Sequence, residues 1–217
     1  MKLYIQPVRD VFQTNAYFYM NEETGHGCLI DPGAQPELLL QIVRQRHWQI
    51  DAIILTHGHF DHTGAVDQLT KALKIPFYIH ERGPEYLVDN ELNLAHQNNR
   101  QIKIDQTPRL LKDNDHLSLA KVGVNFELLY APGHSFDSMV YYDAQNGIAF
   151  VGDVLYNDGP GIWQFPGGNQ TELIKSLKRL SMLPDNTRCF VGHTRPMQIS
   201  QVNYILQHLT DYHLGGN

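Results

Sequence analysis

The sequence predicts an α/β layered fold, because short apolar runs typical of strands alternate along it with amphipathic segments typical of helices. Of its 217 residues, 42% are hydrophobic and 18% are charged, which is the composition of a chain that buries a core. No repeat, low-complexity run or Pro/Gly/Ser-rich linker divides the chain. We therefore expect one domain spanning residues 1–217.

The first half of the chain contains apolar runs bounded by turn residues, and these predict strands. The runs are Leu3–Val8, Ala16–Met20, Cys28–Ile30, Ala52–Leu55 and Phe77–Ile79. The run at Ala52 fits a strand that is buried on both faces. Apolar residues at helical spacing predict two helices, over Pro36–Arg46 and Gly64–Leu73. The segment Pro84–Gln106 is ambiguous, and we expect a helix and a loop there.

The second half repeats the pattern with variations. Its predicted strands are Asn125–Tyr130, Ser138–Tyr142, Ile148–Val151 and Arg188–Val191. A helix is predicted over Thr171–Leu183, where leucines at helical spacing form one apolar stripe, and another over Ile199–Thr210. Strands and helices are thus interleaved along the whole chain, as in layered α/β proteins.

Charge and cysteine content exclude several classes of function. Lys and Arg number 17 against 23 Asp and Glu, so the chain lacks the basic footprint of a nucleic-acid binder. With only Cys28 and Cys189, neither a disulfide framework nor a cysteine-rich zinc cluster is available. No apolar run is long enough to span a membrane and no signal peptide is evident, so we expect no membrane partner and a cytoplasmic location.

The chain holds 12 histidines, and three of them fall in the segment LTHGHFDHTG, directly after a predicted strand. Because alternate residues of an extended chain share a face, His57 and His59 point to the same side. Asp61 and His62 follow as the chain turns toward the next helix, so they face a second point nearby. Two imidazoles beside a mixed Asp/His pair suit a borderline divalent metal such as zinc.

Three further polar residues follow predicted strands, and each comes directly after a glycine. They are His134 in PGHS, Asp153 in VGD and His193 in VGH. The glycine lets the chain turn sharply and approach a ligand closely. Each residue alone is also compatible with an ordinary turn, but together with the first motif they supply what a two-metal site lacks.

In this order the motifs THGHFDH, PGHS, GD and GH resemble the metallo-β-lactamase superfamily of metallohydrolases, from about Tyr4 to about Arg195. Asn15 and the Asp31–Gly33 turn match early landmarks of that superfamily. The segment FPGGN, which starts at Phe165 and precedes a Leu-rich helix, is similar to the glyoxalase II-like group. The resemblance implies a four-layer αββα sandwich with the metals at one edge, between two sheets.

The resemblance also implies a ligand set for two zinc ions, with iron or manganese as alternatives. His57, His59 and His134 would bind the first metal, Asp61, His62 and His193 the second, and Asp153 would bridge them. Asp31 would hydrogen-bond a ligand imidazole, although a simple turn residue is equally compatible. For His80, packing at a strand end or on the surface is favoured over a place at the rim of the site. The remaining histidines show no pattern and are expected at the surface: His26, His47, His96, His116, His208 and His213.

The activity implied is hydrolysis of a thioester or ester-like bond in a small molecule by a hydroxide that bridges the metals. Asp61 would orient this hydroxide or accept its proton. Tyr156 stands three residues after Asp153, where lactonases of this fold carry a tyrosine that donates to the substrate oxygen. Two alternatives within the fold are a lactonase and a mononuclear iron persulfide dioxygenase that uses His57, His134 and Asp153. A third is a non-catalytic binding protein, which the complete ligand set disfavours.

The sequence departs from the glyoxalase II-like pattern at two places. Ile162 stands nine positions after Asp153, where those enzymes carry a basic residue that helps bind glutathione. Only 24 residues follow His193, so we expect no carboxy-terminal helical domain. Arg195 could substitute for the missing cation or simply pair with a surface carboxylate. Ile162 and Trp163 favour a substrate with a hydrophobic group, although Trp163 and Phe165 are equally compatible with packing under a loop. The oligomeric state stays open.

Overall fold

The computed structural model describes residues 1–209, which form four layers: two sheets packed face to face between two layers of helices. The first sheet consists, in spatial order, of β1 (Lys2–Arg9), β2 (Gln13–Met20), β3 (His26–Ile30), β4 (Gln49–Ile54), β5 (Phe77–His80) and β6 (Arg109–Leu111). β1 to β3 pair antiparallel, and β3 to β6 pair parallel.

The second sheet also has six strands, and it contains one parallel pair. Along the chain these strands are β7 (His116–Leu119), β8 (Val124–Tyr130), β9 (Met139–Asp143), β10 (Ile148–Gly152), β13 (Arg188–Val191) and β14 (Met197–Gln198). Their spatial order is β14-β13-β10-β9-β8-β7, in which β10 and β13 run parallel. A short hairpin of β11 (Leu155–Tyr156) and β12 (Gly159–Pro160) projects beyond β10.

The helices cover the outer face of each sheet. They are α1 (Pro36–Arg46), α2 (Phe60–Thr63), α3 (Val66–Leu73), α4 (Gln170–Leu180) and α5 (Ile199–Gln207). Leu39 of α1 and Leu69 of α3 pack on the first sheet, while Leu177 of α4 and Val202 of α5 pack on the second. Between the sheets lies an aromatic core that includes Tyr17, Tyr19, Phe126, Tyr141 and Phe150. The predicted αββα sandwich is therefore confirmed.

Several predicted boundaries were wrong for physical reasons. The helix predicted over Gly64–Leu73 begins only at Val66, because the amide of Ala65 donates to Pro32 O (3.0 Å), and the separate short helix α2 precedes it. The helix predicted to Leu183 ends at Leu180, since Leu183 precedes a proline and the helical conformation is disfavoured there. Pro84–Gln106 holds short 3₁₀ turns and no α-helix. The predicted end of the last helix, Thr210, lies outside the described residues.

β6, β7, β14 and both strands of the β11–β12 hairpin were missed, since these short strands contain no continuous apolar run of three residues, as β5 and β13 do. Within residues 1–209, no helix has both the length and the apolar character needed to cross a membrane.

Candidate metal centre

Side chains from both sheets converge at one edge of the sandwich. His57, His59, Asp61 and His62 lie in the loop after β4 and in α2. The second sheet contributes residues that directly follow, or lie a few positions after, three of its strands: His134 after β8, Asp153 after β10 and His193 after β13. Asn15 of β2 joins the two sheets here, because its side-chain amide donates to Val191 O (3.1 Å) and Thr194 O (3.0 Å). The interleaved order of strands thus gathers residues that are distant in sequence.

A first group consists of three imidazoles. His59 Nδ1 lies 3.1 Å from His57 Nε2 and 2.9 Å from His134 Nε2. All three side chains are almost completely buried. Their inward nitrogens therefore surround a single point.

A second group combines a carboxylate with two imidazoles. Asp61 Oδ2 lies 3.2 Å from His193 Nε2 and 3.9 Å from His62 Nε2. Asp153 lies between the two groups, with Oδ2 3.1 Å from His193 Nε2 and 3.7 Å from His134 Nε2. Its Oδ1 is 3.5 Å from His62 Nε2. The seven predicted ligands are thus brought together as two triads that share one carboxylate neighbour.

The donor atoms fit divalent metal ions. His62 Nε2 and Asp153 Oδ1 are buried without a hydrogen-bond partner in the described part of the chain, and both point into this cluster. Buried polar atoms are rarely left unpaired unless an ion or water satisfies them. Tetrahedral zinc bound at about 2.0–2.1 Å would place imidazole nitrogens roughly 3.3 Å apart. The contacts of 2.9 and 3.1 Å in the first triad are close to that spacing.

In four of the five imidazoles, the Nδ1 atom that faces away from the cluster is hydrogen-bonded. His134 Nδ1 donates to Ile162 O and His193 Nδ1 donates to Gln13 O, each at 2.7 Å. His62 Nδ1 donates to Asp31 Oδ2 at 3.0 Å. Each bond fixes the tautomer and leaves the inward Nε2 with a free lone pair.

The fourth imidazole reaches the same carboxylate through a hydroxyl. Thr56 Oγ1 gives its proton to Asp31 Oδ2 (2.6 Å) and so accepts from His57 Nδ1 (3.0 Å). Asp31 is buried and adopts a φ of 48°, a left-handed conformation that the DPG turn imposes. It therefore supports one imidazole in each triad, which fits the predicted contact with a ligand imidazole.

Two of the glycines that precede ligands have a structural reason. Gly152 has a φ of 52°, and a Cβ there would overlap the Thr56 side chain that supports His57. A Cβ at Gly192 would overlap Asp153 Oδ1 and crowd His62. A larger residue would therefore displace two candidate ligands directly at position 192, and the support of His57 at position 152.

The two triads differ in electrostatics. Burial and the neighbouring imidazoles lower the pKa of His57 and His59 well below the ordinary value. Both imidazoles therefore stay neutral and keep a lone pair that can bind a metal. Burial disfavours charge on Asp61 and Asp153, yet His62 and His193 hold the pKa of Asp61 at about 2 and that of Asp153 well below its usual range. Burial also opposes charge on His193, but Asp153 and Asp61 raise its pKa to about 12. A divalent cation would replace protons at this second triad.

A cleft of about 320 Å³ opens above the triads. Tyr156 lines it, and its hydroxyl donates to Asp153 Oδ2 at 2.9 Å. Ile162 lines it as well, whereas Trp163 is partly buried and packs against the core cluster of the second sheet and α4. Arg195 is exposed and is not among the lining residues, and His80 is buried away from the cleft, stacked on Tyr130 (ring centroids 4.2 Å apart).

The segment that begins at Phe165 carries one wall of the cleft. The amide of Gly168 donates to Phe165 O at 2.9 Å and closes a tight turn. Asn169 then caps α4, because its side chain accepts from the amide of Glu172 at 3.0 Å. The turn directs the Phe165 ring edge-on toward His59 and His134, at 6.1 Å from each ring.

Sequence reasoning missed several residues of the site. Thr14 donates to Asp61 Oδ2 at 3.2 Å, and Phe12, Phe60 and Leu94 line the cleft. Phe60 lies inside the histidine motif, so its place in the sequence could have predicted that it lies near the metal site. Thr14, Phe12 and Leu94 come from a strand and two loops without a recognisable motif, and only tertiary packing brings them here.

Comparison with known proteins gives one family. A family model of the metallo-beta-lactamase superfamily matches residues 9–193. A probable metallo-hydrolase of Bacillus subtilis is 34% identical over 197 residues, which cover 89% of this chain and 90% of the relative. A hydroxyacylglutathione hydrolase of Haemophilus influenzae is 31% identical over 206 residues, covering 93% of this chain and 94% of the relative.

Solved structures agree with this assignment of the fold. A B3 metallo-beta-lactamase, BLEG-1, superposes with a TM-score of 0.89 at 31% identity, covering 96% of this chain and all of the other. TTHA1623, solved in a di-iron-bound form, superposes with a TM-score of 0.82 at 34% identity, covering 92% and 98% of the two chains.

Proposed function

The chain belongs to the metallo-beta-lactamase superfamily, and on this premise we propose that it hydrolyses a thioester or a related ester-like bond at a centre of two zinc ions. The observation that carries the proposal is the pair of buried triads with Asp153 between them. A two-metal site needs two adjacent sets of donors and a shared carboxylate. The relative from Haemophilus influenzae, named a hydroxyacylglutathione hydrolase, supports the choice of a thioester.

In this proposal His57, His59 and His134 would hold the first metal, Asp61, His62 and His193 would hold the second, and Asp153 would contact both. Two divalent cations bound there would supply an activated water as nucleophile and polarise the carbonyl under attack.

Asp61 orients the attacking water rather than storing its proton. An Asp carboxylate has an ordinary pKa of about 3.9 and is already a weak base at neutral pH, and, despite burial, positive charge beside Asp61 lowers its pKa further. Thr14 fixes its direction by donating to Oδ2 at 3.2 Å. We therefore favour the orienting role among the two that the sequence suggested.

Tyr156 acts as a hydrogen-bond donor toward the substrate. Burial and the nearby Asp153 raise the pKa of its hydroxyl well above the ordinary value, so it keeps its proton at neutral pH. The hydroxyl donates to Asp153 Oδ2 and lines the cleft, from where it can turn to the departing group. A thiol has an ordinary pKa of about 8.5, so a thiolate leaves without a strong general acid.

Two other activities compete with thioester hydrolysis. The contact between Tyr156 and Asp153 favours a lactonase, in which the same donor would serve the ring oxygen. Because TTHA1623 was solved in a di-iron-bound form, iron is an alternative to zinc as the metal of this chain. A mononuclear iron dioxygenase would use only His57, His134 and Asp153, so the number and identity of the bound metals distinguish it from a two-zinc hydrolase.

The proposal is tested on protein expressed without added metal. We expect about two zinc ions per chain, loss of activity on S-acyl thioesters with a chelator, and recovery with added zinc. His134→Ala should lose metal, whereas His96→Ala, at an imidazole that is 71% exposed, should not. The same preparation is assayed on lactones and persulfides. Full thioesterase activity in metal-free protein, or activity on persulfides alone, would overturn the proposal.

A further inference from the structure

The two sides of the cleft differ in chemistry. Phe60 and Leu94 are buried and form an apolar cluster against which Phe165 packs. Phe12 extends this surface, with its ring 5.9 Å from that of Phe60. The apolar wall, defined as Phe12, Phe60, Leu94, Ile162 and Phe165, stands beside the first triad, where Phe165 faces His59 and His134.

The opposite side is polar and acidic. Tyr156 lies above His193, with ring centroids 6.2 Å apart. Asp158 occupies the turn of the β11–β12 hairpin, which is anchored because the amide of Asn157 donates to Thr194 Oγ1 at 3.0 Å. Asp158, Tyr156 and Thr194 all line the cleft and form its acidic rim.

The charge of Asp158 is not compensated. Asp61 and Asp153, the other lining carboxylates, face histidines and would face the metals. Asp158 is exposed and forms no ion pair within residues 1–209. The cleft lining contains no Lys or Arg. A negative charge therefore stands at one side of the cleft, outside the metal cluster, with no Lys or Arg in the lining to neutralise it.

From this asymmetry we infer that the cleft selects thioesters with an apolar acyl group and a neutral or cationic leaving group, and that Asp158 determines this specificity by repelling anionic leaving groups. The inference rests on the proposed function. It places the acyl group on the apolar wall and the leaving group beside the acidic rim, on the side of the Tyr156 donor.

The test uses three butyryl thioesters that differ in the charge of the leaving group: thiocholine (cationic), N-acetylcysteamine (neutral) and 3-mercaptopropionate (anionic). With zinc-loaded enzyme at low salt, kcat/KM should be roughly tenfold or more higher for the cationic than for the anionic ester. Asp158→Asn should reduce this ratio about three- to tenfold, and so should 0.5 M salt. Asp185→Asn, which removes an exposed charge outside the cleft lining, should leave the ratio unchanged.

The apolar wall is tested with the neutral leaving group. Lengthening the acyl chain from acetyl to hexanoyl should raise kcat/KM roughly two- to fourfold per methylene while the chain is being buried. A preference for the anionic ester, a ratio that Asp158→Asn does not change, or indifference to acyl length would overturn the inference and leave thioester hydrolysis intact. Failure to hydrolyse any of these esters would overturn the proposed function together with the inference.

Discussion

In the floor of the cleft, six of the seven candidate ligands are at most 8% exposed, and four of the five imidazoles are fixed by a second hydrogen bond. On the walls, Phe12 is 47% exposed, and Asp158 is exposed at the tip of a two-residue turn. The floor, meaning the seven candidate ligands, is therefore fixed by many interactions at once. The walls, meaning the apolar wall and the acidic rim, are fixed by few. Changes in the floor should abolish metal binding, and changes in the walls should alter substrate preference.

The largest effect is expected from Asp153→Asn. The amide cannot bridge two cations, and it leaves His62 and His193 without their shared anion. We expect fewer than two metal ions per chain and a loss in kcat/KM of about a thousandfold or more. Metal analysis and thioester kinetics measure both.

Asp143→Asn is the control for the loss of a buried carboxylate. Asp143 accepts from Tyr19 Oη at 2.7 Å and belongs to no candidate metal group. This variant should lower the melting temperature and still bind two metal ions. Retention of two metals by the Asp153 variant would show that the floor is not organised around this residue.

A smaller effect is expected from Asp31→Asn, which acts through the imidazoles of His62 and His57. Asparagine tolerates the left-handed φ, but its amide cannot accept all three hydrogen bonds that Asp31 receives. We expect metal affinity to fall about 10- to 100-fold. Competition with a chromogenic chelator measures this change.

Asp51→Asn provides the matched comparison, since Asp51 also pairs with a histidine, His26, at 2.6 Å on a different part of the fold. Its metal affinity should equal that of the unaltered protein. If both variants lost affinity equally, the loss would reflect general destabilisation rather than support of the ligands.

The smallest of these effects is expected from Tyr156→Phe, at the boundary between floor and walls. Removing the hydroxyl deletes one donor and leaves every ligand in place. Turnover should fall about tenfold with metal content still at two ions per chain. Tyr204→Phe, at a ring that is 59% exposed, serves as control. Unchanged turnover in the Tyr156 variant would exclude the hydroxyl from the reaction.

The same contrast explains how much could be predicted from the sequence. His57, His59, Asp61 and His62 lie within six residues, so local pattern selected them as candidate ligands. The other three candidates were each compatible with an ordinary turn, and they were selected because they follow strands and complete the motif order of the superfamily. The resemblance to that superfamily implied the four-layer sandwich, which is confirmed. The assignment of each ligand to a metal stays a prediction.

The walls could not be predicted in the same way. Leu94 belongs to a segment whose predicted helix is absent, and Phe12 lies in the turn between β1 and β2. Neither residue belongs to a segment with a periodic apolar pattern. Each reaches the cleft only through packing against Phe60 or Phe165, which the sequence does not reveal. For Trp163 the sequence left a wall residue and a packing residue open, and the structure shows the second, since the partly buried ring packs against the core of the second sheet.

Titrating metal-free protein with zinc while following thioester hydrolysis tests the central claim most directly. The two triads predict that activity rises to a plateau with a break at two equivalents per chain, and that the Asp153→Asn variant shows no such break. A plateau at one equivalent, or full activity before any zinc is added, would contradict a two-metal hydrolase.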